Sequence, residues 1–230
     1  MRIGVLETGA PPQALTPRFG DYPSMFQTLL GDGFQWRSYD VQGEGLPERP
    51  EEQDAYIVTG SSAGVYDGDP WIGRLLEFLR AARGRTRLVG ICFGHQAMAE
   101  AFGGKVIKSP KGWGVGLHTY DVLDPEPWMD AAGPISIPAS HQDQVVERPP
   151  TAKVIAASTF TPFGMLEYQD CRAISLQLHP EFDPAYAEAL IEKRRGSRFP
   201  DEVADAAVAS LRRPNDNARV GEWLKRFLTR

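Results

Sequence analysis

Cys92 stands in the segment Gly90-Ile91-Cys92-Phe93-Gly94-His95-Gln96, directly after the apolar pair Leu88-Val89. A G-x-C-x-G sequence between an apolar strand and a helical pattern has the form of a nucleophile elbow. The glycines permit the strained backbone and the close strand–helix approach that lift one side chain out of the turn. A thiol held there faces the N-terminus of the next helix, whose partial positive charge favours thiolate. The N–H groups of the turn can supply half of an oxyanion hole. Much later, Leu176-Gln177-Leu178-His179-Pro180-Glu181 ends a second apolar strand in an imidazole and a carboxylate. A lone cysteine after an apolar run is commonly an inert core residue. The combination of Cys92 in its glycine frame with His179 and Glu181 instead predicts a thiol nucleophile, a general base and an orienting carboxylate.

Such residues need a scaffold that brings strand ends together. Strands are expected over residues 2–6, 34–41, 55–58 and 88–91, and helices over 22–30, 70–82 and 96–102. Ile72, Leu75, Leu76 and Leu79 fall on one helical face, and Pro70 suits a first turn. This alternation predicts an α/β fold, a doubly wound and mostly parallel sheet with helices on both faces. Beyond it, short strands at 106–107, 116–123, 135–137, 154–157, 165–168 and 173–178 read as antiparallel additions, the last returning to the main sheet. Helices follow at 184–194, 201–211 and 218–228. One domain over residues 1–230 is expected, with a core to about residue 195 and a C-terminal helical extension from 196. Ligands of open α/β sheets bind beyond the carboxyl ends of the strands. The Gly60-Ser61 loop, Cys92 and His179 all follow strands at that end.

Composition narrows the function. The chain has 230 residues, 42% hydrophobic and 24% charged, with a formal net charge of −5, ordinary for a globular protein. No basic stripe points to nucleic acid. The short run Lys193-Arg194-Arg195 at a helix end is expected to be a solvated face. The four histidines, His95, His118, His141 and His179, show no metal-ligand spacing, and no metal or cofactor is expected. The apolar stretch at Met1–Glu7 is too short for a signal peptide, and no segment approaches the length of a membrane span. With two cysteines, Cys92 and Cys171, and one of them needed as a free thiol, a reducing cytoplasm is the expected compartment.

Three segments together resemble the class I glutamine amidotransferases: Gly90 to Gln96, Ser140-His141-Gln142-Asp143, and Gln177-Leu178-His179-Pro180-Glu181-Phe182. The resemblance is nearest to stand-alone proteins similar to the amidotransferase domain of GMP synthase, and extends to plant γ-glutamyl peptidases. It implies the flavodoxin-like fold of that family and a Cys92-His179-Glu181 triad. It also implies an oxyanion hole from the N–H of Phe93 and the Gly60-Ser61 loop, and a substrate pocket with Gln96, His141 and Asp143. Many relatives carry Gly-Gly-Pro where this chain has Gly60-Ser61-Ser62, so a donor at Ser61 requires a backbone that tolerates a side chain. The implied activity is hydrolysis of the γ-amide of glutamine through a γ-glutamyl thioester. Without a P-loop motif or length for a second catalytic domain, an acceptor of the ammonia would be a separate synthase subunit. The alternatives are a self-sufficient γ-glutamyl peptidase or hydrolase acting on γ-glutamyl compounds, and a catalytically silent binding or regulatory protein on the same fold.

Overall fold

The protein is described by a computed structural model at residues 1–43, 45–130 and 133–230. Its first half runs β1 (Arg2–Glu7), α1 (Thr16–Phe19), α2 (Tyr22–Leu30), β2 (Gln35–Asp40), β3 (Ala55–Val58), α3 (Pro70–Ala82), β4 (Arg87–Ile91) and α4 (Phe93–Ala101). The middle adds β5 (Lys105–Lys108), β6 (Gly114–Val122), β7 (Ile135–His141), β8 (Asp143–Glu147), β9 (Ala152–Ala157), β10 (Met165–Tyr168) and β11 (Ala173–Leu176). Three helices follow, α5 (Pro184–Arg194), α6 (Asp201–Ser210) and α7 (Asn217–Thr229). Local chemistry sets the helix starts. The Asp21 carboxylate accepts from the Ser24 N–H at 2.9 Å while Ser24 Oγ accepts from the Asp21 N–H at 3.0 Å, a reciprocal cap on α2. Asp183 caps α5 by accepting from the Ala185 N–H at 2.8 Å, with Pro184 in the first turn.

Nine strands form one sheet in the order β2-β1-β3-β4-β11-β10-β9-β6-β7, and β5 pairs with β8 in a separate two-stranded ladder. The pairs from β2 to β11 are parallel and the remainder antiparallel, as the change of pattern along the sequence predicts. Strand β3 is buried on both sides, which is the rule for parallel strands covered by helices. Tyr56 and Val58 join Leu75, Leu79 and Met98 of α3 and α4. Ala55 and Ile57 join Phe26 of α2 and Val220, Trp223 and Leu224 of α7 on the other face. Among the described residues no helix is long and apolar enough to cross a membrane.

Three differences from the sequence reading concern the site. Helix α4 starts at Phe93, directly after Cys92, rather than at Gln96. Helix propensity disfavours Gly94 in a first turn, but tertiary packing overrides that preference. Strand β7 continues through Pro138 to His141, because an edge strand tolerates a residue without an N–H. Strand β8, beginning at Asp143, has no counterpart among the expected strands.

The glycines on the two sides of this architecture behave oppositely. A Cβ on Gly94 would strike the Val58 carbonyl at the α4–β3 crossing, whereas one on Gly73, on the exposed face of α3, meets nothing within 4 Å. Gly94→Ala is therefore expected to destabilise by about 2 kcal/mol or more. Gly73→Ala should stabilise by about 0.5–1 kcal/mol. Denaturant unfolding of both variants tests this, and shifts of the same sign would contradict it.

Candidate active site

The register places three strand ends side by side. Val58 of β3 pairs with Gly90 of β4, and Ile91 pairs with Leu176 of β11. Cys92, one residue past β4, has φ 53° and ψ −102°, and is the single non-glycine with positive φ among the described residues. Its N–H donates to the Leu176 carbonyl at 2.8 Å, which ties the turn to β11. A Cβ on Gly90 would lie 2.5 Å from the Gly94 carbonyl oxygen and 2.6 Å from Met98 Sδ. Both glycines thus permit strand and helix to approach closely enough to force the bend. Phe93 is fully buried against Trp71, with ring centroids 5.4 Å apart, and anchors the turn from the opposite side. Although Cys92 is only 5% exposed, it lines two adjoining cavities and is not sealed in the core.

His179 approaches from beyond β11. Its Nδ1 bonds Glu181 Oε1 at 2.7 Å, and both side chains are almost wholly buried. Its ring stacks on Phe182 with centroids 3.9 Å apart and planes 7° from parallel. Its backbone N–H donates to the Pro138 carbonyl at 2.9 Å. Burial alone would push the imidazole toward its neutral form. The charges of Glu181 and Cys92, with the hydrogen bonds these residues make, outweigh it and raise the His179 pKa to about 10. The ring therefore holds a proton at neutral pH, with Nδ1 fixed on the carboxylate and Nε2 directed toward the Cys92 side.

The Gly60-Ser61 loop lies across from this pair. A Cβ on Gly60 would come within 3.0 Å of His179 Cε1 and 3.7 Å of Cys92 Cβ, so the bare backbone leaves room for the imidazole. Thr8 secures the loop: its Oγ1 donates to the Thr59 carbonyl at 2.9 Å and its N–H to Thr59 Oγ1 at 3.0 Å. Ser61 does not have a left-handed φ, so a side chain is accommodated there without strain. Phe93, at the first position of α4, has an N–H without an intrahelical acceptor.

Gln96, His141 and Asp143 line the larger of the two cavities with Cys92. Gln96 is partly committed already, because its Nε2 donates to the Asp143 carbonyl at 3.0 Å and to Gln177 Oε1 at 3.1 Å. His141 Nδ1 bonds the Asp143 carbonyl at 3.2 Å, and its buried Nε2 has no partner among the described residues. Burial first, then neighbouring imidazoles, lower the His141 pKa to about 3, so this ring is neutral. Burial raises the Asp143 carboxyl, opposed by the Tyr66 hydroxyl and Lys108. His95 lies off the site, with Nδ1 on Ser175 Oγ at 2.8 Å and no exposed surface.

A family model described as class I glutamine amidotransferase matches residues 36–195. The chain belongs to this family. A glutamine amidotransferase-like protein of Schizosaccharomyces pombe is 27% identical over 244 residues, covering 98% of both chains. Gamma-glutamyl peptidase 4 of Arabidopsis thaliana is 30% identical over 224 residues, covering 92% of this chain and 89% of the relative. The fold matches a crystal structure of a glutamine amidotransferase from Thermotoga maritima with a TM-score of 0.72 at 18% identity, covering 100% of this chain and 99% of the other.

Two features of this family member escape its sequence. Phe182 directly follows Glu181, but only the turn after β11 reveals that its ring lies flat on His179. The basic run at 193–195 is not uniformly solvated. Lys193 is exposed and Arg195 pairs with Glu192 and Asp205, whereas Arg194 turns inward to line both cavities beside Cys92. The helical period turns successive residues by about 100°, so a three-residue run cannot share one face.

The His179 proton yields a measurable prediction. Its folded pKa lies above the ordinary value near 6.5. The stabilisation tied to it is complete below that pH and is lost as pH rises toward about 10. Glu181→Gln removes the largest raising influence, so the His179 titration followed by NMR should fall by about one unit or more. The alkaline loss of stability should flatten with it. An unchanged titration would refute this account of the pair.

Proposed function

We propose that the protein is a thiol hydrolase of γ-glutamyl amides, with Cys92 as nucleophile, His179 as proton carrier and Glu181 as the group that orients the imidazole. The observation that carries this reading is a cysteine on a positive-φ elbow, lining the same narrow cavity as a histidine fixed by a buried carboxylate. Cys92 Sγ attacks the γ-carbonyl carbon, and the oxyanion is held by the N–H groups of Phe93 and the Gly60-Ser61 loop. The C–N bond breaks as His179 gives its proton to the departing nitrogen, leaving a γ-glutamyl thioester. Water then attacks the thioester, its proton passes to His179, and the sulfur leaves as thiolate with release of glutamate. Gln96, His141 and Asp143 form the wall that receives the glutamyl group.

Glutamine is the smallest such amide, and its hydrolysis would supply ammonia to a separate synthase. The near-full-length similarity to a protein named a γ-glutamyl peptidase favours γ-glutamyl peptides. So does the presence of two adjoining cavities that meet at Cys92, room for both halves of a peptide.

Release of ammonia or amine by the purified protein, from glutamine and from a panel of γ-glutamyl peptides, tests the reading. Cys92→Ala should reduce turnover to background, and His179→Ala should lower it by about 10²–10⁴. Glu181→Gln should cost less than either, because its part is orientation. A glutamine-derived electrophile should label Cys92 and leave Cys171 unmodified by mass spectrometry. Near-normal turnover by Cys92→Ala would remove Cys92 as nucleophile.

A further inference from the structure

Two guanidinium groups, of Arg194 and Arg198, reach the larger Cys92 cavity, whose wall also carries the carboxylates of Asp67 and Asp143. Arg194 is the last residue of α5, and Arg198 follows one turn later with its N–H on the Arg194 carbonyl at 2.9 Å. The Arg194 side chain is half-buried, and its Nη1 donates to Ser140 Oγ at 2.8 Å. It forms no ion pair among the described residues, unlike its neighbour Arg195. A guanidinium drawn out of water against a neutral hydroxyl loses hydration that a carboxylate in the same place would replace. Arg198 stands exposed beside Trp113, its Cζ 5.9 Å from the ring centroid, on the wall of the larger cavity. Burial, and the charge of Arg198, both work against the charged form of Arg194. Two like charges held at one cavity wall attract an anion.

Position tells which anion. The larger cavity carries Asp143 and Lys108, which face each other in the β5–β8 register. Together they complement the α-ammonium and α-carboxylate of a γ-glutamyl group. The narrower cavity is lined by His179, Gly60 and Tyr22. His179 must face the departing nitrogen to protonate it, so this is the leaving-group side. Arg194 lines it as well as the larger cavity. Asp67, the other carboxylate of the larger cavity, already accepts from the Gly64 N–H at 2.7 Å, and a glutamyl zwitterion matched by Asp143 and Lys108 leaves Arg194 for a second carboxylate.

We infer that Arg194 binds a carboxylate on the leaving half of the substrate, so that the protein selects γ-glutamyl amino acids over neutral γ-glutamyl amides. The inference rests on the γ-glutamyl amide hydrolase reading above and narrows its substrate class. Bidentate geometry makes arginine the suitable residue, and lysine a partial substitute.

The test compares γ-glutamylglycine with γ-glutamylglycinamide, near-isosteres that differ in one charge. Wild-type kcat/KM should favour the dipeptide at least tenfold. Arg194→Met should bring the two toward parity, and Arg194→Lys should restore part of the preference. Calorimetric binding to the Cys92→Ala variant, which does not require turnover, should show the same tenfold preference. Absence of that preference in wild-type turnover and in Cys92→Ala binding overturns the inference. So does an equal loss on both substrates in Arg194→Met, which would assign Arg194 to the shared glutamyl half. Preferential binding without any turnover would overturn the hydrolase reading and leave the carboxylate site standing. Binding of neither ligand would remove both.

Discussion

Everything at the site depends on one dihedral angle. An L-residue with φ near 53° is strained, and Cys92 holds that conformation only because the groups around it leave no relaxed alternative. The β4–α4 junction is pinned by the Cys92 N–H on Leu176, by Phe93 under Trp71, and by two glycines where strand and helix nearly touch. Packing energy from the parallel core sustains this local cost. The same bend sets α4 running from Phe93, so that the N-terminal end of a helix, with the Phe93 N–H outside its own ladder, begins beside the sulfur. Geometry and electrostatics therefore come from a single backbone decision.

The second element is a charge that burial alone would forbid. His179 is nearly sealed from solvent, yet it keeps its proton because Glu181 and Cys92 stand against it. The stacked Phe182 ring and the Pro138 carbonyl fix the plane and the backbone of the same residue. His141, comparably buried but without a facing carboxylate, goes the opposite way and stays neutral. Two imidazoles on adjoining walls thus have opposite charge states, set by neighbours rather than by depth.

Much of this is legible in the chain. Helix starts at Tyr22 and Pro184 follow from a capping aspartate with a proline in the first turn, and the start at Pro70 from the proline alone, since Asp69 makes no side-chain cap bond. The juxtaposition of Gly60, Cys92 and His179 follows from strand order, because each ends a strand at the same edge. Other parts resist such reading for identifiable reasons. The start of α4 was obscured because Gly94 is a poor helix former whose value lies in what it lets approach, a contact made with β3 and not with its own neighbours. Strand β8 is short and gains its pairing from β5, dozens of residues away. The inward turn of Arg194 is a rotation about a helix axis that a basic run does not specify. Backbone-driven features are readable locally, and those set by a distant surface are not.

The far edge of the sheet carries one more implication. Strand β7 is terminal in the nine-stranded order, and terminal strands invite foreign strands to pair with them. At Pro138 that edge has no amide proton to offer, and its oxygen is already occupied by the His179 N–H. The segment that bears the imidazole therefore also covers the sheet edge at Pro138. Displacing that segment would unseat the imidazole and bare the Pro138 carbonyl in the same movement, so the placing of the ring and the cover of the border have one cause.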